Sequence, residues 1–259
     1  MRFDVITLFP ELFAAFLTSG ITRRAYEAGL VEVKLWNPRE FAEGNYRRVD
    51  DRPFGGGPGM VMLAEPLTLC LENIRSDRTQ GLSPNVPVVL FSPVGQTLNH
   101  ASVENWSASS GAVLICGRYE GLDQRFIETH VDHQISLGDF VLSGGEIAAM
   151  ALLDAVARLQ PGVLNDEGSH QMDSFNPALD GLLDCPHYTR PEVWRGQLVP
   201  PTLLSGNHAR IERWRRENRL ALTQRQRPAL VQKARVAGQL SECDEVFLAD
   251  LIANPEQDA

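Results

Sequence analysis

The sequence predicts an α/β protein with a mainly parallel sheet, followed by a small all-α C-terminal domain. Three observations carry this expectation. Up to about residue 160, short apolar runs alternate with helix-like stretches, the pattern of strands joined by crossover helices. Several runs are apolar throughout, as strands buried on both faces are. Beyond residue 187 the strand pattern stops and only helical periodicity remains.

Taken in order, strands are expected at Phe3–Phe9, Val31–Trp36, Val86–Phe91, Ala112–Cys116 and Val131–Leu137, each rich in Val, Ile, Leu or Phe and bounded by Gly, Pro or Asn. Helices are expected near Glu11–Leu17, Thr22–Ala28, Glu65–Arg75, Asn99–Ser107, Asp123–Glu128 and Glu146–Leu159. Pro161-Gly162 ends the last of these, and the polar stretch Asn165 to Gln171 reads as a mobile linker. Further helices are expected at Pro200–Leu204, Asn207–Leu222, Gln226–Ala237 and Glu242–Ile252, with Asn207 and Ser241 as N-caps. The expected organisation is an α/β domain at 1–160, a flexible linker at 161–186 and a basic helical domain at 187–259.

Composition narrows the class. The chain has 259 residues, 43% hydrophobic and 22% charged, which excludes wholesale disorder. No apolar run approaches the roughly 18 residues of a membrane span; the longest, Ile147 to Leu153, stops at Asp154. Asp4 interrupts the N-terminal apolar stretch, so no signal peptide and no membrane partner are expected, and a cytoplasmic location follows. The four cysteines form no CxxC pair, which disfavours zinc or disulfide frameworks. The net charge of −9 hides a local +8 between His187 and Gln239, leaving −17 elsewhere. A basic segment on an acidic body suggests a module for a polyanion.

Three glycine-containing loops follow expected strand ends: Ser92–Gln96, Gly117–Gly121 and Gly138–Glu146. Ligands of open α/β sheets bind outside the carboxyl ends of the strands, so together the loops suggest a pocket for a small cofactor. Neither GxGxxG after the first strand nor GxxxxGK[ST] occurs, which disfavours ordinary dinucleotide and P-loop sites. A fourth glycine-rich piece, Phe54–Met60, reads equally as a phosphate nest or a flexible loop.

The strings Phe54–Met60, Gly117–Gly121, Gly138–Glu146, Asp154–Arg158, Gly181–Pro191 and Leu204–His208 closely resemble the bacterial tRNA (guanine-N1)-methyltransferases, in order, from Arg2 to roughly Pro228. These SPOUT-class enzymes methylate the guanosine 3′ of the anticodon, at position 37. General topology favours an unknotted doubly wound sheet; the resemblance implies a deep trefoil knot holding S-adenosylmethionine. It implies a cofactor site lined by Phe91, Ser92, Pro93, Gly117, Tyr119, Glu120, Leu137, Gly138, Phe140, Leu142, Gly144 and Gly145. It also implies a homodimer with composite active sites, and a magnesium ion near Glu120. Two departures stand out. Phe140 replaces the tyrosine usual in the third loop, and Gln171-Met172 replaces the acids usual before Asp173, with Asn176-Pro177-Ala178 reading as an insertion.

Guanine N1 carries a proton, so the reaction needs a base and stabilisation of charge on O6. The resemblance makes Asp173 the base and Arg158 the O6 partner. Arg210, Arg213, Arg215, Arg216 and Arg219 are spaced so that most can share one broad face of a helix expected to grip the anticodon stem through its phosphates. Alternative readings are a SPOUT methyltransferase acting on another nucleotide and a non-catalytic RNA-binding protein.

Overall fold

The computed structural model describes residues 1–79, 81, 83–165 and 169–253. The chain divides into two compact units, Met1–Asn165 and Asp166–Ala259.

The first unit runs β1 (Arg2–Ile6), α1 (Phe13–Thr18), α2 (Arg23–Glu27), β2 (Glu32–Trp36), β3 (Asp50–Asp51), β4 (Val61–Met62), α3 (Ala64–Arg78), β5 (Val88–Thr97), α4 (His100–Ser107), β6 (Val113–Ile115), α5 (Gln124–His130), β7 (His133–Ser136) and α6 (Glu146–Arg158). Five strands form one sheet in the order β2-β1-β6-β5-β7, every pair parallel. The apolar runs are explained by burial on both faces. Phe3, Val5, Val89, Leu114 and Cys116 pack into one core with α1, α2, α4 and α6. Their neighbours Ile6, Val88, Leu90, Val113 and Ile115 pack into the other, against α3 and α5. The two-residue alternation of a strand sends successive side chains to opposite layers.

Helix starts follow local chemistry. Asn99 caps α4 through Ser102 N–H, with the Ser102 hydroxyl completing a capping box, and Asp123 caps α5 through Arg125 N–H. Asp4, the acid inside β1, is fully buried and fully engaged: it accepts from Arg2 Nη2 at 2.6 Å, Trp36 Nε1 at 2.8 Å and Arg78 Nε at 2.6 Å. A buried carboxylate is tolerable only with such partners.

The second unit contains β8 (Val193–Trp194), β9 (Gln197–Leu198), α7 (Pro201–Leu204), α8 (His208–Gln226), α9 (Pro228–Val236) and α10 (Glu242–Ala253). Its core is small: Leu182, Leu220, Val231, Ala234 and Leu248. Asn207 caps α8 through Arg210 N–H, and the Ser241 hydroxyl accepts from Asp244 N–H at the start of α10.

Three expectations need correction. The third strand does not end at Phe91 but continues to Thr97 after a local excursion. The helical unit is not all-α, because β8 and β9 form an antiparallel hairpin. Each strand is two residues long, too short for periodicity to register, and the same holds for the β3–β4 hairpin. Of the expected linker, 166–168 lie outside the described residues. The part from Ser169 onward is packed: two 3-10 turns (Ser169–Met172, Pro177–Leu179) flank Asp173, and Leu179 and Leu182 are buried. Asn176 caps the second turn through Ala178 N–H.

Candidate active site

Because the sheet is parallel, the carboxyl ends of β5, β6 and β7 lie along one edge. At that edge β5 opens. Phe91 and Gln96 both pair with Ile135, so Ser92–Gly95 is thrown out as a loop before the strand rejoins β7. Gly95 is needed for this: a Cβ there would lie 2.5 Å from the Gln134 carbonyl carbon.

The second loop, following Cys116, is braced on two sides. Glu120 N–H donates to the Met60 carbonyl at 3.0 Å and Met62 N–H to the Gly121 carbonyl at 2.9 Å. On the other side Gly145 N–H donates to the Gly117 carbonyl at 3.0 Å, and Arg118 bridges to Gly144. Arg118 also donates through Nε to Glu146 Oε1 at 3.1 Å and through Nη1 to the Ser143 carbonyl at 3.2 Å. Its Nη2 lies 2.9 Å from Glu146 Oε2, and its guanidinium sits 4.4 Å from the Phe9 ring centroid. Glu146 is only 1% exposed and takes a further bond from the Thr7 hydroxyl at 2.9 Å. One buried carboxylate therefore ties β1, the second loop and the start of α6 together.

The loops enclose a cleft of about 500 Å³, within the range of small-molecule sites. Phe91, Ser92, Pro93, Gly117, Tyr119, Glu120, Leu137, Phe140, Leu142, Gly144 and Gly145 line it, and Gly138 does not. Gly138 lies under the ring of Phe140, 3.0 Å from where a Cβ would sit. The glycines of the third loop serve packing between loops. A Cβ on Gly145 would lie 2.8 Å from Cys116 Cα, and one on Gly144 would collide with Arg118 and Glu146. Tyr119 takes a left-handed backbone conformation at φ 59°.

Sequence reasoning missed three contributors. Arg118 and Glu146 were visible as residues, but their pairing spans 28 positions. Gly59 was visible as part of a glycine-rich string. Its role emerges only in space, where a Cβ would strike the Glu120 carboxylate. The end of that string is thus the floor of the second loop.

Arg158 is the last residue of α6 and is half-buried. Asp173, also half-buried, follows the Ser169–Met172 turn, with its N–H on the His170 carbonyl at 3.3 Å and its own carbonyl accepting from Asn176 N–H at 3.2 Å.

The arginines of α8 do not share one face, contrary to expectation. Arg210 and Arg213 are exposed and Arg215 partly so; Arg213 and Arg215 make only intrahelical pairs with Glu217 and Glu212. Arg216 is turned inward, bonded to Asp180 at 2.6 Å and to both oxygens of Asp244 at 3.1 and 3.0 Å. Burial works to raise the Asp244 carboxyl, but bonds from Arg216 and Ser241 outweigh it and hold it below its ordinary value. Arg219 is buried, with Nη2 3.8 Å from Asp184. The reason is the 3.6-residue period: five arginines across ten positions cannot all avoid the helix face that packs on the core.

The parallel sheet with three interlocked loops over one cleft defines an α/β protein of the class that holds a small cofactor at its strand ends. Residues 1–233 match the family described as tRNA (Guanine-1)-methyltransferase TrmD, and the chain belongs to that family of methyltransferases. A protein of Polaromonas sp. (strain JS666 / ATCC BAA-500) is 85% identical over the full length of both chains. One of Methylibium petroleiphilum is 60% identical over 97% of this chain and 98% of its own. One of Bordetella pertussis is 56% identical over 99% of this chain and 100% of its own. All three are named tRNA (guanine-N(1)-)-methyltransferase.

Proposed function

We infer that the nucleotide methylated is the guanosine at position 37, just 3′ of the anticodon; that the enzyme acts on guanine N1 of tRNA follows from its family. The observation that supports the cofactor reading most is the gathering of three distant loops around one cleft, lined by loop glycines together with apolar and aromatic side chains such as Phe91, Tyr119, Leu137 and Phe140. S-adenosylmethionine, when bound there, supplies an electrophilic methyl group. The sheet order and the interlocking of the Gly117 and Gly145 loops support a knotted crossing of the chain.

Methylation forms the N1–C bond as the methyl–sulfonium bond breaks, its electron pair staying on sulfur to leave a neutral thioether, and N1 must lose its proton. Asp173 accepts that proton, and Arg158 stabilises the negative charge that develops on O6. A carboxylate is a weak base for a guanine amide proton, so Asp173 is effective only if O6 is stabilised as the proton leaves. Arg210, Arg213 and Arg215 contact RNA phosphates, while Arg216 and Arg219 hold the unit together. Exposed apolar side chains at the third loop and the start of α6, Val141 and Ile147, support a homodimer in which each active site draws on both subunits. Among the described residues no helix is long and apolar enough to cross a membrane, and a tRNA substrate supports a cytoplasmic location. Glu120 is the one carboxylate at the second loop, and no group of three metal-ligating side chains occurs among the described residues. The chain does not by itself build a magnesium cage, and no step is assigned to the ion.

The test is to incubate the protein with labelled S-adenosylmethionine and unmodified tRNA and to map the product. Methyl at N1 of guanosine 37 is expected; methyl on a ribose hydroxyl or at another nucleotide overturns the reading.

A further inference from the structure

The stretch from Pro186 to Leu198 is exposed at every position, yet it is folded. Val193 pairs with Leu198 and Trp194 with Gln197, the turn Arg195-Gly196 has both residues at positive φ, 51° and 83°, and Val199 N–H closes the ladder on the Glu192 carbonyl at 3.0 Å. Positive φ at both central residues is the type I′ signature of a two-residue hairpin. Cross-strand partners share a face, so Val193 and Leu198 lie on one side and Trp194 and Gln197 on the other. Neither side is covered: Val193 is 52%, Trp194 56% and Leu198 70% exposed. A two-stranded hairpin with both faces in water is marginal alone, and an exposed tryptophan on it calls for an occupant.

Chemistry identifies one. Arg195 places its guanidinium 5.0 Å from the Trp194 ring centroid, Gln197 lies beside that ring, and Arg190 is exposed nearby in sequence, with Glu192 the one acid between residues 186 and 204. At the root of the stretch Tyr188 packs edge-on against Trp214 of α8, centroids 6.1 Å apart, which sets the hairpin beside the helix that carries Arg213 and Arg215. An aromatic ring with a cation over one face and an amide next to it is the equipment for an unpaired base: stacking on the ring, phosphate or cation–π contact, and a hydrogen bond to the base edge.

We propose that the β8–β9 hairpin is a stacking platform for an unpaired nucleotide of the RNA substrate, with Trp194 as the stacking surface, Arg195 its cation and Gln197 its edge reader. The proposal rests on the tRNA reading above and adds a specificity for unpaired RNA that the α8 arginines do not supply.

The experiment measures binding of the full-length protein to an unmodified tRNA transcript and to a fully paired RNA duplex, at two salt concentrations, for wild type, Trp194→Phe and Trp194→Ala. Trp194→Ala is expected to bind tRNA about ten-fold more weakly, with an unchanged salt slope, an unchanged melting temperature and undiminished duplex binding; Trp194→Phe is expected to keep most of the affinity. Equal loss on tRNA and duplex, or no loss on tRNA, overturns the platform while leaving the substrate reading intact. A wild-type protein that binds no tRNA overturns both. If Trp194→Ala instead converts a dimer to a monomer in light scattering, the hairpin is a contact between copies and the proposal falls.

Discussion

The two units hold their functional residues in opposite ways. In Met1–Asn165 the cleft is made of loops locked by backbone bonds, glycines without room for a Cβ, and one buried carboxylate, Glu146, that gathers Thr7 and Arg118. Two apolar layers stand behind it. In Asp166–Ala259 the core cluster has five buried residues, arginine–carboxylate pairs share the structural work, and Trp194, Arg210 and Arg213 face water. On the function proposed above, the difference is that of a small cofactor and a large polyanion. A cleft that binds through backbone must be preorganised to a fraction of an ångström, whereas a phosphate surface needs charge on long side chains and little fixed geometry.

This contrast can be broken in four places. The largest effect is expected at Asp173. Asp173→Asn keeps the size and most hydrogen bonds but removes basicity, so single-turnover methylation with saturating substrates should fall by about 10²–10⁴, with both binding steps preserved. Retention of more than a tenth of the rate would mean that another group or water is the base.

Next comes the rigid cleft. Gly145→Val drives side-chain carbon into Cys116, whose Cα is already 2.8 Å from a Cβ position. Calorimetry should show S-adenosylmethionine affinity lowered by at least ten-fold, while far-ultraviolet circular dichroism stays near wild type. Unaltered affinity would show that the Gly117–Gly145 contact does not shape the site.

The exposed arginines should respond more gently. Arg210→Glu together with Arg215→Glu is expected to weaken tRNA binding several-fold and to flatten its salt dependence, because fewer phosphates are neutralised and fewer counterions released. The cofactor affinity should not change. Arg216→Glu, by contrast, should unfold the second unit, because it sets a third carboxylate against Asp180 and Asp244. If the two classes of arginine behaved alike in thermal melts, the inward and outward assignments would be wrong.

The smallest effect is on acid stability. The folded Asp244 carboxyl lies below its unfolded value, so its contribution is present above about pH 4 and is lost as pH falls through the depressed folded value. Melting curves between pH 5 and 2 should show the second unit weakening over that window, and Arg216→Ala should remove that component of the slope.

Much of this was legible in the residues. The five parallel strands, the order of helices and the caps at Asn207 and Ser241 are local matters: periodicity of two or 3.6, and a side chain reaching a backbone N–H three residues on. The glycines after strand ends marked the three loops, and the family motifs marked two of them, Gly117–Gly121 and Gly138–Glu146. The two hairpins were not legible, since strands of two residues carry no period, nor was the continuation of β5 past Pro93, where a four-residue excursion hides the return to β7.

Sequence by itself determined the alternation of elements and the chemistry available at the strand ends, because both depend on neighbours along the chain. Tertiary structure decided which residues do structural work. Arg216 and Arg219 look like Arg213 and Arg215 until Asp180, Asp184 and Asp244 come beside them. Gly59 and Gly145 look like other glycines until Glu120 and Cys116 occupy the space a Cβ would need. The physical reason is the same in both cases: partners and excluded volume are supplied by segments tens of residues away, and only the fold brings them into contact.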